Sequence, residues 1–191
     1  QNLLDELLAL SRLDANKGLF DAKVNLIEAI HLAIRSIPYF THPVKIIVNK
    51  QIIANKQNIA VENDRSANEF ENLVFIKSDG GQIKRLFINL LTNIEKYAPG
   101  NTPVEIVIVK GTKTVTVKVV DHGKGVSPDE LPKLYERFYT TEKSRNSELS
   151  GTGLGLAIVA EIVKKSGGVI KAENTSGSGL THKIIFSSSV K

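Results

Sequence analysis

QIKRLFINLLTNIEKY, residues 82–97, carries the clearest helical period in the chain. At about 100° per residue, Ile83, Phe87, Leu90, Leu91 and Ile94 fall on one arc, and Asn89, Asn93, Lys96 and Tyr97 on another. The first arc is a core-facing stripe. The second runs against local preference, because asparagine side chains compete with the backbone for hydrogen bonds inside a helix. Placed beside a buried stripe, two asparagines one turn apart call for something polar to hold. An amide carbonyl is an oxygen ligand suited to Mg²⁺, and a lysine is a point-charge partner for phosphate. The alternative is a solvated polar face.

On the C-terminal side of this helix, VEIVIVK (104–110) and TVTVKVV (114–120) are rich in β-branched residues and flank Gly111, which predicts a hairpin. Further on, the pattern predicts a short helix at 128–136, a polar mobile loop at 140–152, a helix at 154–166 closed by Gly167-Gly168, and strands at 169–173 and 182–186. On the N-terminal side, VFIK (74–77) reads as a strand leading into the Asp79-Gly80-Gly81 turn. Residues 62–72 have no apolar period and read as an exposed loop; VKIIV (44–48) and NIAVE (58–62) read as strands. A helix is predicted at about 24–36 from Val24, Ile27, Ile30, Ala33 and Ile34, with Pro38 beyond it. Leu3, Leu4, Leu7, Leu8, Leu10 and Leu13 form a stripe too wide for an isolated helix, expected to pack on a partner helix and to stop at Lys17-Gly18.

Composition narrows the function classes. The chain has 191 residues, enough for one domain with an appendage, and is 41% hydrophobic. It has no cysteine, which excludes disulfides and thiolate metal sites and fits a reducing compartment. No apolar run approaches the ~18 residues of a membrane span, so no membrane contact is expected of it. The net charge of +5 is spread along the sequence, not gathered into the basic, aromatic-interleaved stripe that nucleic acid requires, and it suits a small anionic ligand. There is no methionine and the chain opens at helical spacing, so it is expected to be cut from a longer protein.

Two further motifs bear on such a ligand. Asp121-His122-Gly123-Lys124-Gly125 follows a predicted strand, placing an acceptor carboxylate at a strand end among glycines that let backbone approach a base or sugar. Gly151-Thr152-Gly153-Leu154-Gly155-Leu156 opens the helix at 154, where free N–H groups and the helix dipole favour phosphate. It does not follow a strand in a βαβ unit, so a dinucleotide fold is rejected, and no P-loop pattern exists. Between them lies Leu134-Tyr135-Glu136-Arg137-Phe138-Tyr139, whose aromatics are core anchors in the simplest reading and whose Arg137 reaches a phosphate if the loop closes.

In this order the motifs resemble the catalytic ATP-binding domain of bacterial two-component sensor histidine kinases. NLLTNIEKY is similar to that family's N box, DHGKG to its first glycine box, YERFY to its F box and GTGLGLAIV to its second glycine box. The resemblance covers roughly residues 20–190 and implies the Bergerat fold, a two-layer α/β (α+β) sandwich with a mixed sheet of about five strands under three helices. It implies ATP and Mg²⁺ as cofactors. Asn93 would coordinate the metal with support from Asn89, Lys96 would contact phosphate, and Tyr97 the nucleoside. Asp121 would accept from the adenine amino group. Gly123 and Gly125 would flex beneath a lid at about 139–152, and Gly151, Thr152, Gly153, Leu154 and Gly155 would cradle phosphates. Arg137 would stabilise charge developing on the γ-phosphate, and Thr181 is similar to a late polar position near adenine. Three departures stand out: Ile94 where the family has a small residue, a last glycine box (GSGLTHKIIF) lacking the compact form, and a long segment 38–78.

The resemblance further implies domain bounds of 1–18 for the remnant of a dimerisation and phosphoacceptor helix and 19–191 for the ATP domain. Its partners would be that helix in a homodimer and a response regulator receiver domain, with the kinase part cytoplasmic and the parent anchored in the inner membrane. Related ATP hydrolases carry a glutamate one turn before the metal-binding asparagine; here that position is Asn89, and a neutral amide is no general base. None of His31, His42, His122 and His182 sits in a His-Glu/Asp context, so the acceptor histidine is expected upstream of Gln1. The other readings are an anti-sigma-type serine kinase and a nucleotide-gated interaction module without transfer.

Overall fold

The computed structural model describes residues 3–15, 20–49, 51–55, 73–141 and 151–188. In chain order these hold α1 (Leu3–Ala15), β1 (Ala22–Asn25), α2 (Leu26–Arg35), β2 (Val44–Val48), β3 (Gln51–Asn55), β4 (Phe75–Ser78), α3 (Gly80–Tyr97), β5 (Val104–Lys110) and β6 (Thr114–Val120). A 3₁₀ turn at Leu131–Lys133, α4 (Gly155–Lys165), β7 (Val169–Asn174) and β8 (Leu180–Ser187) complete the order.

The expected hairpin of β5 and β6 has the predicted ends, and it forms the centre of a six-stranded mixed sheet ordered β3-β2-β5-β6-β8-β7. β2 runs parallel to β5, and the other neighbours are antiparallel. Alternation along the strands explains the layering. Val104, Ile106 and Ile108, then Val115, Val117 and Val119, then Ile184 and Phe186, are all buried on one face. Against that face lie α2, α3 and α4, contributing Leu26 and Ile30, the stripe Ile83, Phe87, Leu90, Leu91 and Ile94, and Ile158, Val159 and Ile162. Burying each such side chain is worth about 1.5–3 kcal/mol. α1 packs on α4 through Ala9, Leu10 and Leu13, leaving Leu4 and Leu8 exposed.

Several elements differ from the sequence reading. β3 supplies a sheet-edge strand in a stretch to which the sequence reading assigns no element. The helix expected from residue 24 starts at Leu26, because Ala22–Asn25 pairs with β4 as a separate two-stranded ribbon. Val24 is buried there, and Asn25 caps the helix by accepting from the Ile27 N–H at 3.1 Å. The helix expected at 128–136 contracts to the 3₁₀ turn with Pro132 in its first residues. The strand expected at 58–62, the loop at 62–72, the stop at Lys17-Gly18 and residues 142–150 of the expected lid lie outside the described residues.

Candidate functional site

α3 fixes the site. Its N-cap Asp79 accepts from the Gln82 N–H at 2.8 Å and so starts the helix at Gly80, and the apolar arc is buried on the sheet. The polar arc then borders a cavity of about 810 Å³ between α3, the strand ends and the start of α4. Asn89, Asn93, Lys96 and Tyr97 all line it. Asn89 is only 3% exposed, and its Nδ2 has no hydrogen-bond partner among the described residues. A buried amide donor left unmet is costly, and at a cavity wall it is a donor available to whatever the cavity holds. Glu95 points elsewhere: its carboxylate accepts from the Thr41 N–H at 3.0 Å and hydroxyl at 2.9 Å.

At the far end of the cavity, Asp121 follows β6. Its Oδ1 accepts from the N–H groups of Gly123 at 2.8 Å and Leu180 at 3.1 Å, which aims the carboxylate along the wall. Burial pushes its pKa up, and those two N–H groups pull against that rise. Gly125 adopts φ +67°, and a Cβ there would meet the Asn174 side chain, whose amide clamps Val126 from both its N–H and C=O. Gly179, with φ +116°, presses against the Asp121 backbone.

Across from α3, the glycines of the α4 start take distinct places. A Cβ on Gly151 would lie 3.4 Å from the Lys96 ammonium, so the lysine already spans to the glycine-rich turn. Gly153 has φ +71° and backs onto Phe138, whose N–H donates to the Gly153 carbonyl at 3.0 Å; this joins the aromatic segment to the turn. Gly155 faces open space at the first turn of α4. Gly151, Thr152, Gly153 and Gly155 line the cavity, as do Gly123 and Gly125.

Three expected residues do not join them. Leu154 is fully buried in the core and contributes backbone, its carbonyl accepting from the Ile158 N–H at 2.9 Å. Arg137 is exposed and outside the cavity wall. Thr181 lies on the opposite side of β8, its hydroxyl 2.9 Å from that of Thr175, while Leu180, one residue earlier, lines the cavity. A slip of one residue in a strand exchanges the faces.

The sequence reading missed two other wall residues. Glu6 of α1 is 7% exposed and accepts a hydrogen bond from the Thr152 hydroxyl, bringing the first helix to the glycine-rich turn. His182 is 2% exposed, with Nδ1 2.8 Å from the Tyr135 hydroxyl. Burial holds its pKa down at about 4. Below the ordinary value near 6.5, the unfolded chain takes up a proton that the folded chain refuses. Stability is therefore expected to fall as pH drops from about 6.5 to about 4, by on the order of 3 kcal/mol from this residue. Urea unfolding at pH 7 and pH 4.5 would measure the loss, and His182→Phe should flatten it; an unchanged slope in that variant would assign the effect elsewhere.

A helix presenting two asparagines and a lysine, facing a glycine-rich helix start across one cleft, on a mixed sheet, defines a class of nucleotide-binding fold. The chain belongs to the histidine kinase-, DNA gyrase B-, and HSP90-like ATPase family, whose pattern matches residues 78–189. Sensor protein KdpD of Clostridium acetobutylicum is 30% identical over 184 residues, covering 95% of this chain and 18% of that protein. Phosphate regulon sensor protein PhoR of Pseudomonas aeruginosa is 30% identical over 186 residues, covering 97% of this chain and 38% of that protein. The chain thus spans well under half the length of these curated relatives. The fold is shared with the mycobacterial sensor histidine kinase MprB (TM-score 0.67, 19% identity, 88% of this chain and 97% of that one). It is shared also with full-length ShkA solved in complex with AMPPNP (TM-score 0.70, 21% identity, 99% of this chain and 36% of that one).

Proposed function

We propose that this chain binds Mg-ATP in the cavity and presents the γ-phosphate to a histidine on a dimerisation helix, as the ATP-binding part of a sensor histidine kinase that feeds a response regulator. The observation that carries the reading is the juxtaposition of Asn89, Asn93 and Lys96 with the Gly151–Gly155 turn across one cleft, with Asp121 at its other end. The donor set fits the metal: Asn93 offers a neutral oxygen ligand, and Mg²⁺ usually takes few protein ligands, with phosphate and water completing its shell. The unmet amide of Asn89 lies one turn away, suited to an oxygen in the same shell. When bound, the metal would neutralise phosphate charge.

The chain's own residues would do the rest. Lys96 and the N–H groups at the start of α4 would hold the phosphate oxygens. Asp121 would accept from the adenine amino group, and Tyr97 would cover the nucleoside. The P–O bond to the β-phosphate breaks as an imidazole nitrogen takes the phosphoryl group, so catalysis rests on positioning and electrostatics. Arg137 would reach the developing charge through movement of the segment that Gly153 anchors. Asn89 in place of a carboxylate favours an external nucleophile over water. In this reading α1 is the end of the phosphoacceptor helix, its exposed leucines belong to a homodimer, and the domain works in the cytoplasm beside a membrane-anchored parent.

The test is the fate of γ-labelled ATP with Mg²⁺, this chain and a separately made helical hairpin from a sensor kinase. Acid-labile, base-stable label on the hairpin is the expected result. Label released as free phosphate makes the protein a hydrolase, and binding without turnover makes it a nucleotide-gated module.

A further inference from the structure

His182 faces the same side of the sheet as Asp121. It pairs directly with Val119 across β6 and β8, and Asp121 lies opposite Leu180, two residues away. Strand alternation therefore places Asp121, Leu180 and His182 on the helix-facing side, with Asp121 and His182 as diagonal neighbours about 7–8 Å apart. All three line the cavity. A histidine this deeply buried ordinarily has partners on both nitrogens. Here Nδ1 has the Tyr135 hydroxyl at 2.8 Å, and Nε2 has no partner among the described residues.

Hydrogen-bond counting fixes the tautomer. With the proton on Nδ1, the ring would donate to the Tyr135 oxygen, and both the tyrosine hydrogen and the bare Nε2 would go unmet. With the proton on Nε2, Tyr135 donates to Nδ1 and a single group is left over, the Nε2–H. Because His182 lines the cavity, Nε2 can be met there in either form, whereas the Tyr135 hydrogen is met only when Nδ1 accepts it. Burial raises the Tyr135 pKa, so that hydroxyl keeps its proton for the bond. His182 thus brings a fixed N–H donor to a cavity wall on which Asp121 brings a fixed acceptor.

We propose that His182 is a base-selecting residue: its Nε2–H donates to a ring nitrogen flanking the exocyclic amino group that Asp121 accepts from. Adenine presents that pair, a donor amino group beside acceptor ring nitrogens. Guanine presents a carbonyl oxygen to the carboxylate, so the Asp121 contact turns repulsive in either geometry; the His182 contact is lost with it where N1 is the partner, since guanine N1 is protonated, and is kept where N7 is, since N7 accepts in both bases. The inference rests on the ATP reading above and names a specificity determinant within it.

The experiment is calorimetric binding to the 191-residue chain of Mg-ATP, Mg-GTP, and the 1-deaza and 7-deaza analogues of ATP. One of the deaza analogues is expected to bind about five- to tenfold more weakly than ATP, the worth of one neutral hydrogen bond. His182→Phe keeps an aromatic ring beside Tyr135 and removes the donor. It should bind ATP and that deaza analogue equally, both at the weaker level. Tyr135→Phe releases the tautomer and should weaken ATP binding and shrink the difference between ATP and that deaza analogue. Equal affinity of the unmodified chain for ATP and both deaza analogues overturns the proposal without any variant. A folded His182→Phe with unchanged ATP affinity does so as well, leaving His182 a packing residue. Absence of ATP binding by the unmodified chain would instead overturn the nucleotide reading itself.

Discussion

Asn93→Ala is expected to reduce transfer of label from γ-labelled ATP to a supplied phosphoacceptor hairpin by on the order of 100-fold or more, while leaving the domain at least as stable as before. The two halves have separate causes. Asn93 is half-buried on the polar arc of α3 and lines the cavity, so its removal deletes the one oxygen ligand assigned to the metal. Losing a single preorganised electrostatic contact at a reacting centre commonly costs about 10²–10³-fold. Yet asparagine is a poor helix residue and alanine the best, a difference of about 0.5 kcal/mol in an interior turn. The melting temperature should therefore hold or rise as activity falls, the pattern expected where function opposes stability. Asn89→Ala should shift stability upward more, since it also removes a buried amide donor with no partner. Transfer unimpaired by Asn93→Ala would remove the metal-binding role; transfer lost together with cooperative melting would show only that the helix had been damaged.

How much of this was legible depended on the length over which a pattern repeats. β5 and β6 were readable end to end because seven residues of strict alternation leave one register that buries Ile106, Ile108, Val117 and Val119. α3 was readable for the same reason, and with it the four polar residues facing the cavity. The four-residue strand β1 was not, because its single buried residue, Val24, fits a helical stripe equally well. Only its pairing with β4, some fifty residues away, decides the matter. The resemblance points to Thr181 where the cavity wall has Leu180, because GSGLTH does not say where the glycine turn ends and the strand begins. Glu6 was invisible for a different reason. Its place beside Thr152 is set by the packing of α1 on α4, and no local period in either segment encodes that contact.

Gly179→Ala should be the most destabilising single-methyl addition in the site. A Cβ at this position would lie 2.0 Å from the Asp121 carbonyl oxygen, 2.7 Å from its carbon and 2.8 Å from the His122 Cα. All three are backbone atoms, so no side-chain rotation relieves the clash. The chain must move away from the end of β6, and that separates the Asp121 N–H from the Leu180 carbonyl, now 3.0 Å apart, and the Leu180 N–H from the Asp121 carboxylate. The backbone angle of φ +116° adds strain for any side chain. Strain of about 1–3 kcal/mol and lost hydrogen bonds at about 1 kcal/mol each together give about 3 kcal/mol or more. For a chain of this size that lowers the melting temperature by roughly 10 °C. Two other glycines separate the causes. Gly177 has φ +95° but open space around it, so Gly177→Ala should show the strain alone. Gly155 has neither, so Gly155→Ala should leave melting unchanged or raise it, and weaken only what binds at the start of α4. Thermal melts that rank Gly179 well below Gly177, and Gly177 below Gly155, would confirm that close backbone approach holds Asp121 in place. Equal losses at Gly179 and Gly177 would mean that backbone angle is the whole effect, and that the carboxylate is positioned by the sheet ends without help from the turn.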